Sequence, residues 1–186
     1  MIAPSANQRL LACGLATMLM QTAPDLKAQD DTRPVPLRDS IVSAAREVIA
    51  AARYGALITI DSTGQPRARV MDPFPPEPDM TVWLATNPKS RKVRHIEANP
   101  RVTLYYFDPG SLSYITLTGV GRVVDDPSEK ARRWKEGWDI FYPDRDQSYL
   151  LIEVTPVRLE VISMKHGLTG NPVTWTPDGV TLGGER

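Results

Sequence analysis

The sequence predicts a mainly β chain, strands with flanking helices, arranged as an antiparallel barrel or sandwich. Three observations predict it. Six or seven short apolar runs recur between residues 56 and 164, with turn residues between them at hairpin-like spacing. Within those runs the apolar period suits strands, whereas a few intervening stretches repeat at helical spacing. Hydrophobic residues make up 41% of the 186 residues, enough to bury a core. Periodicity alone leaves barrel and sandwich open.

The elements follow in order. Arg9 precedes an apolar run from Leu10 to Met20, and Pro24 and then Ala28 follow it. A short apolar stretch after a basic residue, ending near a small residue, reads as a secretory signal over residues 1–28. It is too short to span a bilayer. A disordered extension of a cytoplasmic protein is the alternative. Residues 29–37 are polar, with prolines at 34 and 36, and read as a linker. Asp39 or Ser40 can cap a helix in which Ile41, Ala44, Ala45, Val48, Ile49 and Ala52 share a face.

Strands are expected over 56–61 and 66–71, joined by the turn Ser62-Thr63-Gly64-Gln65. A proline-rich loop, 73–78, leads to a strand over 81–86. A short helix over 89–98 stops at Asn99-Pro100, and strands follow over 102–107 and 113–124. Asp126-Pro127-Ser128-Glu129 opens a helix expected to run to Trp138. Strands over 149–155 and 158–164, separated by Pro156, complete a domain over 38–166. Residues 167–186 read as a tail rich in Gly, Pro and Thr.

Charge and rare residues narrow the function. Lys+Arg and Asp+Glu are 22 each, a net charge of zero that gives no basis for binding nucleic acid or an anionic membrane. The sole cysteine, Cys13, lies in the leader, so a processed chain would lack cysteine catalysis and thiolate metal sites. His95 and His166 are far apart, which argues against a histidine metal centre.

The most informative stretch is Thr86-Asn87-Pro88-Lys89-Ser90-Arg91-Lys92-Val93-Arg94-His95. It leaves an apolar strand and opens a helix, with Asn87 as N-cap and Pro88 in the first turn. Free amides and the helix dipole favour an anion there. Ser90 adds a hydroxyl, and Arg91 and Lys92 add charge. A phosphate monoester suits this set; a solvated basic helix face is the plain alternative. Arg67 and Arg69, two apart on a strand, share a face and suit a phosphate or an electron-rich ring, or else simply face solvent.

Four segments resemble the pyridoxamine-phosphate-oxidase-like FMN-binding split barrels, above all the general stress protein 26 group. They are Gly64 to Met71, Trp83 to Val102, Trp134 to Pro143 and Leu151 to Glu160. The second, with Ser90-Arg91-Lys92-Val93 and Asn99-Pro100, is the most specific of the four. The resemblance implies a split barrel of about six antiparallel strands and a homodimer with FMN at the subunit interface. It assigns the phosphate to Arg69, Ser90, Arg91 and Lys92, with Arg67 beside them. The ring falls to Val70, Met71, Ala85 and Thr86. It further implies an FMN-dependent oxidoreductase acting on a small molecule, with NAD(P)H as a candidate donor. Flavin storage without turnover, or a deazaflavin or haem in place of FMN, are the alternatives.

Departures from the family pattern argue against pyridoxamine phosphate as substrate. Phe74 stands where the true oxidases carry lysine, Val161 and Ile162 follow Glu160 where a flavin-contacting tryptophan is expected, and the C-terminal Arg-x-His motif is absent. No side chain stands out as a catalytic acid or base. Trp134 and Trp138, four apart, are expected to pack in a core or interface. One of Tyr105 and Tyr106 should be buried. His166 reads as a loop histidine, and Trp175 as a possible cover for the barrel.

Overall fold

The computed structural model describes residues 36–183. The expected signal segment, most of the linker and the last three residues lie outside that range.

Helix α1 (Arg38–Ala52) leads into β1 (Gly55–Ile60) and β2 (Pro66–Met71). Then come β3 (Val82–Thr86), α2 (Arg91–Ala98), β4 (Arg101–Asp108) and β5 (Ser113–Val124). Short helices α3 (Pro127–Arg132) and α4 (Arg145–Ser148) precede β6 (Leu150–Ile162), and β7 (Asp178–Thr181) ends the sheet. The strand order is β2-β1-β4-β5-β6-β3, with β7 also on β6, and every pair is antiparallel. The sheet curls into a split barrel, because the long β6 lies along β5 while its other edge takes β3 first and β7 later.

Alternation along β4 and β5 turns Val102, Leu104, Tyr106, Ile115 and Leu117 inward. The buried stripe of α1 (Ile41, Ala44, Ala45, Val48, Ile49) closes over them, as its spacing requires. Each fully buried large aliphatic there stabilises the fold by about 1.5–3 kcal/mol. Of the two tyrosines, Tyr106 is buried and Tyr105 is exposed. A second core is aromatic: Trp83, Trp138 and Tyr149, with Phe74, Trp134 and Tyr142 against them.

Several boundaries differ from the sequence expectation. Leu37, not Asp39 or Ser40, takes the N-cap of α1. The last two expected core strands are one continuous β6. Pro156 is accommodated at an irregularity in the β5–β6 register beside Gly119, where its missing N–H disturbs the ladder least. Gly119 permits this approach, since a Cβ there would run into the carbonyl oxygen of Thr155. Helix α3 stops at Arg132, so Trp134 and Trp138 do not share a helix. Gly137, at φ 79°, turns the chain into a 3₁₀ turn at Trp138–Ile140, and the two indoles still meet edge-on at 6.1 Å. The segment after residue 166 contributes β7 to the sheet, and Trp175 stands exposed in the loop before it.

Candidate functional site

Strand β3 is buried along its whole length and delivers Ala85 and Thr86 to its C-terminal end. The helix after it begins later than expected. Asn87 caps a turn instead, its Oδ1 accepting from the Lys89 amide at 2.8 Å while the Ser90 amide donates to the Asn87 carbonyl at 3.0 Å. Ser90 is the N-cap of α2, yet its hydroxyl makes no bond to the helix. It lies 2.9 Å from Thr86 Oγ1, leaving first-turn amides of α2 without intrahelical partners. Lys92 Nζ donates to the same Thr86 oxygen at 3.0 Å.

Arg69 reaches this corner from β2. It donates from Nη1 to the Leu57 carbonyl at 3.0 Å and to Thr59 Oγ1 at 2.8 Å. Burial lowers the pKa of Arg69, and Arg91 lowers it further. Burial and then Arg69 do the same to Lys92. His95 is pushed down first by burial and then by Arg69. A like-charged neighbour disfavours the charged form of each of these groups. No carboxylate among the described residues forms an ion pair with Arg69, Arg91 or Lys92.

A cavity of about 540 Å³ opens beside this cluster. Tyr54, Val70, Met71 and Asp72 form one wall, Ala85, Thr86, Asn87 and Lys92 another, and Trp138, Phe141 and Tyr142 a third. Sequence reading thus places Val70, Met71, Ala85, Thr86 and Lys92 on the lining. Ser90 and Arg69 are not on the lining: Ser90 reaches the lining residue Thr86 through its hydroxyl, and Arg69 lowers the pKa of the lining residue Lys92. Arg91 is exposed and close enough to Arg69 to lower its pKa. Arg67 does not join them: it pairs with Asp61 at 2.7 Å at the hairpin end.

The aromatic wall and Tyr54 were not identified as site residues from sequence. The tryptophan pattern signalled packing, and Trp138 does pack, against Phe74 at 5.5 Å, while also facing the cavity. His166 belongs to a separate cluster, with Nδ1 2.8 Å from Ser163 Oγ and Nε2 3.2 Å from Glu47. A larger depression, about 780 Å³, lies elsewhere again, on the outer face of β1, β4 and β5.

The pyridoxamine 5'-phosphate oxidase family model matches residues 41–163. The chain belongs to that family. Solved structures share its fold at low identity. A protein from Clostridium acetobutylicum related to general stress protein 26 is 19% identical, with TM-score 0.63, over 77% of this chain and 94% of that one. A pyridoxamine 5'-phosphate oxidase-related, FMN-binding protein from Nostoc punctiforme is 16% identical, with TM-score 0.51, over 80% of this chain and 98% of that one. A haem-binding protein from Mycobacterium smegmatis is 19% identical, with TM-score 0.59, over 79% of this chain and 60% of that one. No curated protein matches the sequence.

The residues present fit a phosphorylated flavin. A doubly charged phosphate answers the uncompensated cations, and a planar ring answers the apolar and aromatic walls. No histidine lines the cavity, which offers less to a haem.

Proposed function

We propose that this chain binds FMN and uses it as an oxidoreductase of small molecules. The observation that carries the reading is the convergence of Arg69, Arg91 and Lys92, unneutralised, beside a cavity walled by Met71, Ala85 and Trp138. Arg69, Ser90, Arg91 and Lys92 hold the phosphate, Lys92 and Ser90 being already aligned through Thr86. Val70, Met71, Ala85 and Thr86 would hold the ring, in a cavity that Phe141 and Tyr142 also line. When bound, FMN supplies a ring able to accept and return electrons or a hydride. The protein's part is to orient that ring and exclude water from it.

A second cavity of about 540 Å³ supports a place for substrate. Ile49, Pro73, Phe74 and Pro76 line it with Arg53, and it shares Asp72 with the first. In this reading the substrate is not pyridoxamine phosphate, because Phe74, packed on Trp138, stands where the true oxidases carry lysine. The proposed homodimer holds FMN at the subunit interface, and the exposed Tyr105, Phe107, Val120 and Val157 of the sheet offer apolar surface for such an association. The apolar leader over residues 10–20 supports export of the mature protein.

Purified protein should carry a flavin spectrum or acquire one on adding FMN. Absence of both ends the reading. Stopped-flow mixing with NADH or NADPH separates an oxidoreductase, whose bound flavin bleaches, from a flavin-storing protein, whose flavin stays oxidised. Native mass spectrometry reports cofactor mass, dimer stoichiometry and mature N-terminus together.

A further inference from the structure

Thr59 is fully buried on β1 and still places a hydroxyl between two side chains. Arg69 Nη1 donates to its Oγ1 at 2.8 Å, and the same oxygen lies 2.9 Å from His95 Nδ1 on α2. A hydroxyl has one proton and two lone pairs, and a guanidinium only donates. Oγ1 therefore accepts from Arg69, and toward His95 Nδ1 it donates or accepts according to the ring tautomer; in either sense the hydroxyl is held between the two side chains. The surroundings favour the neutral ring: burial, Arg69, Arg91 and Arg94 all disfavour the imidazolium, and Asp61 alone opposes them.

The consequence falls on Arg69. Its Nη1 is fixed by Thr59 and the Leu57 carbonyl, while Nε and Nη2 make no hydrogen bond among the described residues. A guanidinium pinned at one nitrogen loses less freedom when the others meet a phosphate. We propose that His95 and Thr59 form a positioning relay that locks Arg69 and makes this pocket prefer a phosphorylated flavin to an unphosphorylated one. The inference rests on the FMN reading above and adds to it two residues that touch no cofactor atom.

The test compares FMN with riboflavin, which carries the same ring and no phosphate. Wild-type protein should bind FMN far more tightly. Thr59→Val keeps the volume and removes the hydroxyl. It should weaken FMN about tenfold, as expected for one bond to a charged group, and leave riboflavin within about twofold. Thr59→Ser should restore the preference. His95→Ala, nearer the surface, should also lower it, and His95→Asn should recover it by setting a hydrogen-bonding amide where Nδ1 was. Thermal melts of each variant report folding separately. Equal losses for both flavins, or an unchanged ratio in Thr59→Val and His95→Ala alike, overturn the relay while leaving FMN binding intact. Wild-type protein that binds neither flavin overturns the cofactor assignment and the relay together.

Discussion

Two cationic corners of this small barrel have opposite characters. At the α3 corner, every buried cation has an acid beside it. Arg133 pairs with Glu77 and Glu129 and stacks 3.7 Å over the Trp83 ring, Lys130 holds Asp125 at 2.9 Å, and Lys135 holds Asp72 at 2.8 Å. At the α2 corner, among the described residues, Arg69, Arg91 and Lys92 pair with no carboxylate: Arg69 bonds a hydroxyl and a carbonyl, Lys92 a hydroxyl, and Arg91 lies near Arg69. Paired cations tie elements together, whereas unpaired ones held in place store a demand for an anion. The difference separates structural charge from ligand-binding charge within one chain of zero net charge.

The comparison can be broken most forcefully at Arg133. Arg133→Ala strands Glu77 and Glu129 and uncovers Trp83, and should cost about 3 kcal/mol of stability in denaturant titration. FMN affinity per folded molecule should hardly move. Arg69→Ala should do the reverse. FMN affinity falls by roughly 30- to 100-fold by isothermal titration, the loss of a charged bond to phosphate. Stability changes by no more than about 0.5 kcal/mol, because relief of repulsion offsets the lost bonds to Leu57 and Thr59.

Titration sharpens the contrast further. A lysine whose pKa is depressed by folding costs stability while charged, and that cost disappears as pH rises through the depressed value. Bound phosphate favours the charged form. FMN affinity should therefore fall as pH climbs toward the ordinary lysine range, and Lys92→Arg should flatten that fall in binding measured against pH. The smallest effect belongs to Arg67→Ala, which removes an exposed pair with Asp61. It should alter both stability and FMN affinity by less than about 0.5 kcal/mol. A large loss of FMN binding there would show that both arginines of β2 reach the phosphate.

Much of the architecture was legible in local pattern. The alternation of β1 and β5 and the stripe of α1 are short-range consequences of which side chains avoid water. The basic strand-to-helix junction was legible for the same reason. Three features were not. Asn87 and Pro88 carry ordinary helix-start signals, yet the chain uses Asn87 to close a turn and starts α2 one turn later, where Ser90 can reach Thr86. Pro156 reads as a break, but the β5 partner Gly119 makes room for it within one strand. Trp138, Phe141 and Tyr142 read as packing residues, because their facing the β3 end depends on how a loop more than fifty residues away folds back.

The sequence by itself determined the strand content, the apolar faces and the concentration of cations after Thr86, since these follow from side-chain chemistry within a few residues. Tertiary structure alone decided which cations remain without an acid. Arg67 and Arg69 are chemically identical and two residues apart, and only the curl of β1 and α2 gives one to Asp61 and the other to Thr59. Charge compensation is a through-space property: it depends on distance between side chains, and distance is fixed only when the sheet has closed.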